Sequence, residues 1–238
     1  MTEEEELFDE LVRDFAALPA DPPIKRDICL RCCRPVSVCW CFYLPDEPVV
    51  TRSTVIILQH PSEEKRCLRT APILLAALAR GKCHIVHGRK FTTSKSALLE
   101  NVLTCRHSLL LFPGPDAVDV ADVPRNCTYN LILLDGTWAQ ARSIYHTNPS
   151  LQRLRQVKLC HAGVSEYVIR TQPDDNCLST VESAALALAY LENDPSIRDT
   201  LLRPLQALCN FQLQHGAVEH QSKEFLFQNG KIKRKKKK

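Results

Sequence analysis

Residues 130–138, Asn130-Leu131-Ile132-Leu133-Leu134-Asp135-Gly136-Thr137-Trp138, decide how this chain is read. The unbroken apolar run 131–134 predicts a strand buried on both faces. It ends on an acid, a glycine and a threonine, and a helix over 138–146 follows directly. A buried strand that passes at once into a helix is the repeating unit of a mainly parallel sheet with helices on both faces, an α/β fold.

The same alternation extends outward. Residues 53–59 and 108–112 are further apolar strands, and 83–87, 156–160 and 167–170 are shorter candidates. A helix is expected over 68–79, begun or kinked near Pro72. The last third reads as helical. Ser179-Thr180-Val181-Glu182 forms a capping box ahead of an alanine- and leucine-rich run to 191. A second helix spans 198–215, with Pro204 near its start and Gly216 as its stop. At the other end, Leu7, Leu11, Val12, Phe15 and Leu18 recur at helical spacing on an acidic background, which predicts a solvated helix docking on the body. Four segments follow: an acidic helix and linker (1–26), a cysteine-rich knuckle (27–45), the main domain (46–220) and a basic, disordered tail (221–238).

The net charge of +4 is a property of the tail. Residues 231–238 hold seven basic side chains and no acid, and without them the chain stands at about −3. Any surface for a polyanion on the body is therefore a local patch, for which Lys65, Arg66, Arg69, Arg89, Lys90, Arg142, Arg153, Arg155 and Lys158 are candidates. The tail suits phosphate attraction or nuclear import. Met1-Thr2 leads into four glutamates with no apolar run, so no signal peptide is expected. No run approaches ~18 apolar residues, so no membrane span is expected either. Twelve cysteines then imply reduced thiols in cytoplasm or nucleus, and clustered thiols suggest metal.

Cys29-x-x-Cys32 followed by Cys39-x-Cys41 supplies four thiolates at a spacing that suits tetrahedral, structural zinc; Cys33 is left out. The alternative is a set of buried or redox-active thiols. Chemistry is expected at the carboxyl ends of the strands, where open parallel sheets bind ligands. Asp135 stands there as a base or hydroxyl acceptor. Thr137 either takes part in the site or caps the helix with Gln140. Trp138 either stacks on a base or packs in the core. Gln59-His60-Pro61-Ser62-Glu63 follows the strand 53–59, and His60 can exchange a proton near neutral pH. Pro113-Gly114 closes 108–112, with Gly114 permitting close backbone approach. Arg170 could grip a carboxylate bidentately or pair with Glu182. Ser179 and Thr180 open a helix whose free amides could face an anion.

Taken together these residues resemble the DTW-domain family of tRNA-uridine aminocarboxypropyltransferases. Asp135-Gly136-Thr137-Trp138 matches the family's D-x-T-W signature. The cysteine cluster, Gln59-His60-Pro61, Pro113-Gly114, 167–170 and 178–182 fall in the family's order over roughly residues 27–216. The runs 201–209 and 211–216 look similar to the family's second animal paralogue. The resemblance implies a SPOUT-like fold with a knotted cofactor pocket and S-adenosylmethionine as co-substrate. It implies transfer of the 3-amino-3-carboxypropyl group to the ring imide nitrogen of a uridine in the tRNA D-loop, with release of methylthioadenosine. Asp135 is the first candidate base and His60 the second. Gln59, Pro113, Gly114, Arg170, Ser179, Thr180 and Glu182 are expected around the cofactor, with Arg170 on its carboxylate. The partner is tRNA, and no obligate protein partner is expected. A SPOUT-type RNA methyltransferase and a non-catalytic zinc-containing RNA-binding module are the competing readings.

Overall fold

The computed structural model describes residues 3–16, 26–160, 163–173 and 177–231. Six strands form one parallel sheet: β1 (Thr54–Gln59), β2 (Cys83–His87), β3 (Ser108–Leu111), β4 (Val118–Asp119), β5 (Asn130–Asp135) and β6 (Arg155–Lys158). Their order is β2-β1-β5-β3-β6-β4, and every pairing is parallel. The helices are α1 (Glu3–Ala16), α2 (Pro61–Glu64), α3 (Ala71–Ala77), α4 (Ala97–Thr104), α5 (Trp138–Thr147), α6 (Pro149–Gln152), α7 (Thr180–Glu192), α8 (Ser196–Gln214) and α9 (Lys223–Gln228).

The central strands carry apolar side chains on both faces because both faces are covered. Val55, Ile57, Leu109, Leu131, Leu133 and Val157 enter one core with α3, α7 and α8. Ile56, Leu58, Leu110 and Ile132 enter a second core with Leu99 and Val102 of α4, Ile144 of α5 and Leu151 of α6. The register sets Gln59 directly beside Asp135, at the carboxyl ends of neighbouring strands.

Helix α7 is fastened at both ends. Ser179 caps its start in a capping box with Glu182. At its far end Glu192 accepts the backbone N–H groups of Arg52 and Ser53, both at 2.9 Å, just before β1 begins. Burial raises the Glu192 pKa, but those amides outweigh it and hold the carboxyl below its ordinary value. Asn193, in the left-handed conformation, ends the helix.

Several expected elements differ. Residues 167–170 form a turn, with the Arg170 N–H on the Tyr167 carbonyl, and no strand. β4 already occupies the edge beside β6, and the Tyr167 ring is drawn into the core, its hydroxyl donating to the Leu68 carbonyl at 2.5 Å. The helix expected over 68–79 is shorter because Leu78 turns extended to bridge Val49. Helix α8 starts at Ser196, so Pro204 lies inside it rather than near its start. It is buried there, where its missing N–H is offset by packing into the core around α8. The described apolar residues of α1, Leu7, Phe8, Leu11 and Val12, are exposed and not docked on the body. The tail expected from residue 221 includes α9, capped by Ser222 and tied to the body through Lys223 N–H on the Gln172 carbonyl. The end of the expected first helix at 17–18, the linker to 25 and residues 232–238 lie outside the described residues. No described helix is long and apolar enough to cross a membrane.

Candidate active site and metal centre

Cys29, Cys32, Cys39 and Cys41 converge so that all four sulfurs lie within 4.8 Å of one another. Cys29 and Cys41 are 3.8 Å apart, and Cys32 and Cys39 are 3.6 Å apart. Zn–S bonds of about 2.3 Å in a tetrahedron require sulfurs about 3.8 Å apart, so the set fits zinc. The local chain explains the convergence. Ile28 bridges Pro35, and Cys33, exposed and in the left-handed conformation at φ 56°, makes the tight turn between them. Amides of Cys32 and Arg31 point at the Cys29 sulfur and hold its pKa down to about 6, whereas burial pushes the Cys32 and Cys41 thiols up, so those two become thiolates only when a metal displaces their protons.

The knuckle is anchored to the main body. Trp40 is buried in the core shared by α3, α7 and α8. Arg34, also buried, donates to the carbonyls of Val38 and Cys67, joining the knuckle to the loop before α3.

The second centre is built at the carboxyl edge of β1, β5 and β3, which lie side by side in the sheet. Asp135 is buried at the end of β5. Gln59 Nε2 donates to its Oδ2 at 2.6 Å, and Thr180 Oγ1 donates to its Oδ1 at 2.5 Å. The carboxylate is thus fixed by the adjacent strand and by the first turn of α7, whose dipole favours negative charge there. The Asp135 carbonyl also receives the His60 N–H at 2.8 Å. A Cβ on Gly136 would lie 3.0 Å from Gln140 Cβ and 3.4 Å from His60 Cβ. A side chain there would crowd Gln140 on the first turn of α5, so glycine suits the junction between β5 and α5.

His60 caps the short α2 through Nδ1, which accepts the Ser62 N–H at 3.2 Å. Burial, and then the charge of Arg89, lower its pKa. With Nδ1 committed as acceptor, the neutral ring carries its proton on Nε2. It is a donor in this state, not a ready base. His60, Ser62, Arg89, Ala139, Gln140 and Ser143 line an open depression of ≈ 380 Å³ between the ends of β1 and β2 and the α5 helix. Nitrogen-detected NMR is expected to find the neutral His60 ring in the Nε2–H tautomer and its pKa below that of a free imidazole. An Nδ1–H ring at neutral pH would contradict the geometry.

The remaining candidates divide. Thr137 is occupied as a helix cap: its hydroxyl accepts the Gln140 N–H, and Gln140 accepts the Thr137 N–H at 2.8 Å. Trp138, 36% exposed, belongs to neither core. Gly114, after Pro113, does permit a close approach, but by Gln156, whose Oε1 lies 1.7 Å from where a Cβ would stand. Gln156 in turn donates to the Tyr145 hydroxyl at 2.9 Å. Glu182 is engaged by Ser179, by Ser165 Oγ and by the Glu166 N–H rather than by Arg170.

Two residues gain importance that the sequence alone did not give them. Arg89, one of the scattered basic side chains, stands at the depression beside His60. Glu63, only a member of the polar run after β1, is buried. Burial raises its pKa and the Asp135 charge adds to this, while Arg66 and Arg170 oppose it. Its signal in the sequence was weak, because an acid one turn into a helix is ordinarily a solvated dipole partner.

Comparison with known proteins bears on this site directly. The DTW domain family matches residues 26–213, which include both the knuckle and the carboxyl-edge cluster. The chain is 51% identical over 218 residues to a Drosophila melanogaster protein named tRNA-uridine aminocarboxypropyltransferase 2, covering 91% of this chain and 87% of that one. Proteins of the same name from Macaca fascicularis and Mus musculus are each 44% identical over 216 residues, covering 90% of this chain and 72% of theirs. No solved structure matches the chain.

Proposed function

Since the chain belongs to the DTW-domain family, we propose that it transfers a 3-amino-3-carboxypropyl group from S-adenosylmethionine to the ring imide nitrogen of a uridine in the tRNA D-loop. The observation that carries this reading is the 44–51% identity, over nine-tenths of the chain, to proteins named tRNA-uridine aminocarboxypropyltransferase 2. Asp135, the acid of the signature, is held at a strand end by Gln59 and Thr180. A SPOUT-like relationship with a knotted cofactor pocket belongs to the same reading, as do structural zinc on the four cysteines and residence in cytoplasm and nucleus.

The chemistry asks mainly for positioning. The sulfonium of the donor supplies a carbon ready for displacement. The imide nitrogen forms its bond to that carbon as the carbon–sulfur bond breaks. The carbon–sulfur electron pair leaves with methylthioadenosine, and the imide proton passes to the Asp135 carboxylate. Asp135 orders the reacting groups and accepts from them. His60 donates through Nε2–H toward a uracil carbonyl, where charge builds as the proton departs. Arg89 beside it suits a neighbouring phosphate. Arg170 takes the donor's carboxylate and so presents the chain carbon, instead of the methyl, to the nucleophile.

The test is incubation of the zinc-loaded protein with unmodified tRNA and S-adenosylmethionine, followed by mass spectrometry of the nucleosides. Aminocarboxypropyluridine formed one-for-one with methylthioadenosine is expected. Methyluridine with adenosylhomocysteine would replace this reading by the methyltransferase one. Tight tRNA binding with neither product would leave a binding module. Deleting residues 231–238 should weaken tRNA binding chiefly at low salt, because exposed phosphate contacts are screened as salt rises. A fall in turnover at saturating tRNA would assign those residues a part in the chemistry.

A further inference from the structure

At the carboxyl end of β1 two buried acceptors lack a hydrogen-bond donor: Gln59 Oε1 and Glu63 Oε1. Gln59 is 1% exposed and Glu63 is 3% exposed. The Gln59 amide cannot be turned to cure this, because its Nε2 is the group that donates to Asp135 and reversal would set two oxygens against each other. Glu63 Oε1 has Arg66 Nε at 3.1 Å. That contact is an ion pair out of line for an N–H bond, since the oxygen remains without a hydrogen-bond donor. Buried polar atoms are nearly always partnered in a finished structure, so acceptors left open beside a functional carboxylate mark a place for a ligand's donors.

The charges around Glu63 narrow the ligand. Asp135 and Arg170 both act on its carboxyl, so a second acid and a guanidinium lie within electrostatic reach of it. Asp135, the Gln59 amide that bonds to it and the Glu63 carboxyl that feels its charge are all rich in acceptors, a set that would repel an anion and receive a cationic donor. The head of an α-amino acid carries an ammonium and a carboxylate on one carbon. Its complement is an acid with a guanidinium in electrostatic reach, as Arg170 is of Glu63.

We propose that Glu63 binds the α-ammonium of the donor's amino-acid moiety, opposite Arg170 on its carboxylate, with Gln59 Oε1 as a further acceptor. This rests on the donor reading above and adds a residue to it. Glu63 thereby fixes the chain that is to be transferred. A sulfonium lacking the amine would be held by one end only.

Equilibrium binding to the full-length, zinc-loaded protein tests it with two ligands: S-adenosylmethionine, and the same sulfonium with a 3-carboxypropyl chain and no amine. The wild type is expected to bind the amine-bearing ligand about tenfold or more tightly, the usual size of a buried charged hydrogen bond. Glu63→Gln should weaken S-adenosylmethionine by about that factor and leave the amine-free ligand within about twofold. Glu63→Asp should restore part of the preference. Equal weakening of both ligands in Glu63→Gln would make Glu63 a structural partner of Arg66 and overturn the proposal. So would a wild type that binds both ligands alike, a result that needs no variant to fold. A wild type that binds neither would overturn the donor reading, and this assignment with it.

Discussion

Asp135→Asn is expected to lower single-turnover formation of the modified uridine by about a hundredfold or more while leaving fold and zinc content intact. The intact fold follows from the hydrogen bonds. An asparagine oxygen can still accept from Gln59 Nε2, and its amide can donate to Thr180 Oγ1 once that hydroxyl rotates, so neither 59 nor 180 loses a partner. What disappears is the negative charge in a buried setting beside the α7 N-terminus. Cofactor affinity separates the possible roles. If Asp135 serves chiefly in proton removal, affinity changes far less than turnover; if it holds donor hydroxyls, the two fall together. Near wild-type turnover would remove Asp135 from the chemistry. The burden would not pass easily to His60, whose free lone pair is spent on the Ser62 amide.

Replacing Cys29 or Cys39 by serine is expected to have the largest effect on the folded state. One equivalent of zinc should be lost, because a closed site of four thiolates does not hold with three. The damage should spread beyond the knuckle, since Trp40 is part of the main core and Arg34 ties the knuckle to Cys67. Losing a docked tryptophan costs about 3–5 kcal/mol, which for a chain of this length corresponds to a melting temperature lowered by roughly 10 °C. Metal analysis together with a thermal melt decides the matter. A zinc-free protein with an unchanged melt would show that the thiols merely pack.

The parts of the fold that were legible in the sequence are those decided locally. The runs 55–58 and 131–134 are apolar on consecutive residues, which suits strands of a sheet covered on both faces. Both capping boxes were readable from spacing, and so was the convergence of Cys29, Cys32, Cys39 and Cys41 without Cys33. What escaped was decided at long range. Residues 167–170 have strand composition, but their backbone meets no free sheet edge. Pro204 is a poor helix residue that α8 accommodates within its packing. Helix α4 was there to be read, with Ser96 as its cap and Leu99, Val102 and Leu103 facing the second core, yet its eight residues fall between two stronger strand signals. Glu63 looked like a surface acid, and no local rule foretells that a four-residue helix will turn it inward.

Helix α7 joins the two edges of the sheet. Thr180 holds Asp135 at the carboxyl edge, Glu192 holds the start of β1 at the amino edge, and the thirteen-residue helix that they begin and end is about 20 Å long. A rod pinned at both ends and buried along its length cannot swing aside to admit a large molecule. Its amides should therefore be among the slowest in the chain to exchange with deuterium, together with those of β5. Whatever rearrangement tRNA requires falls to the loops beyond β1, β2 and β3, so the protein divides into a stationary anvil and a yielding rim.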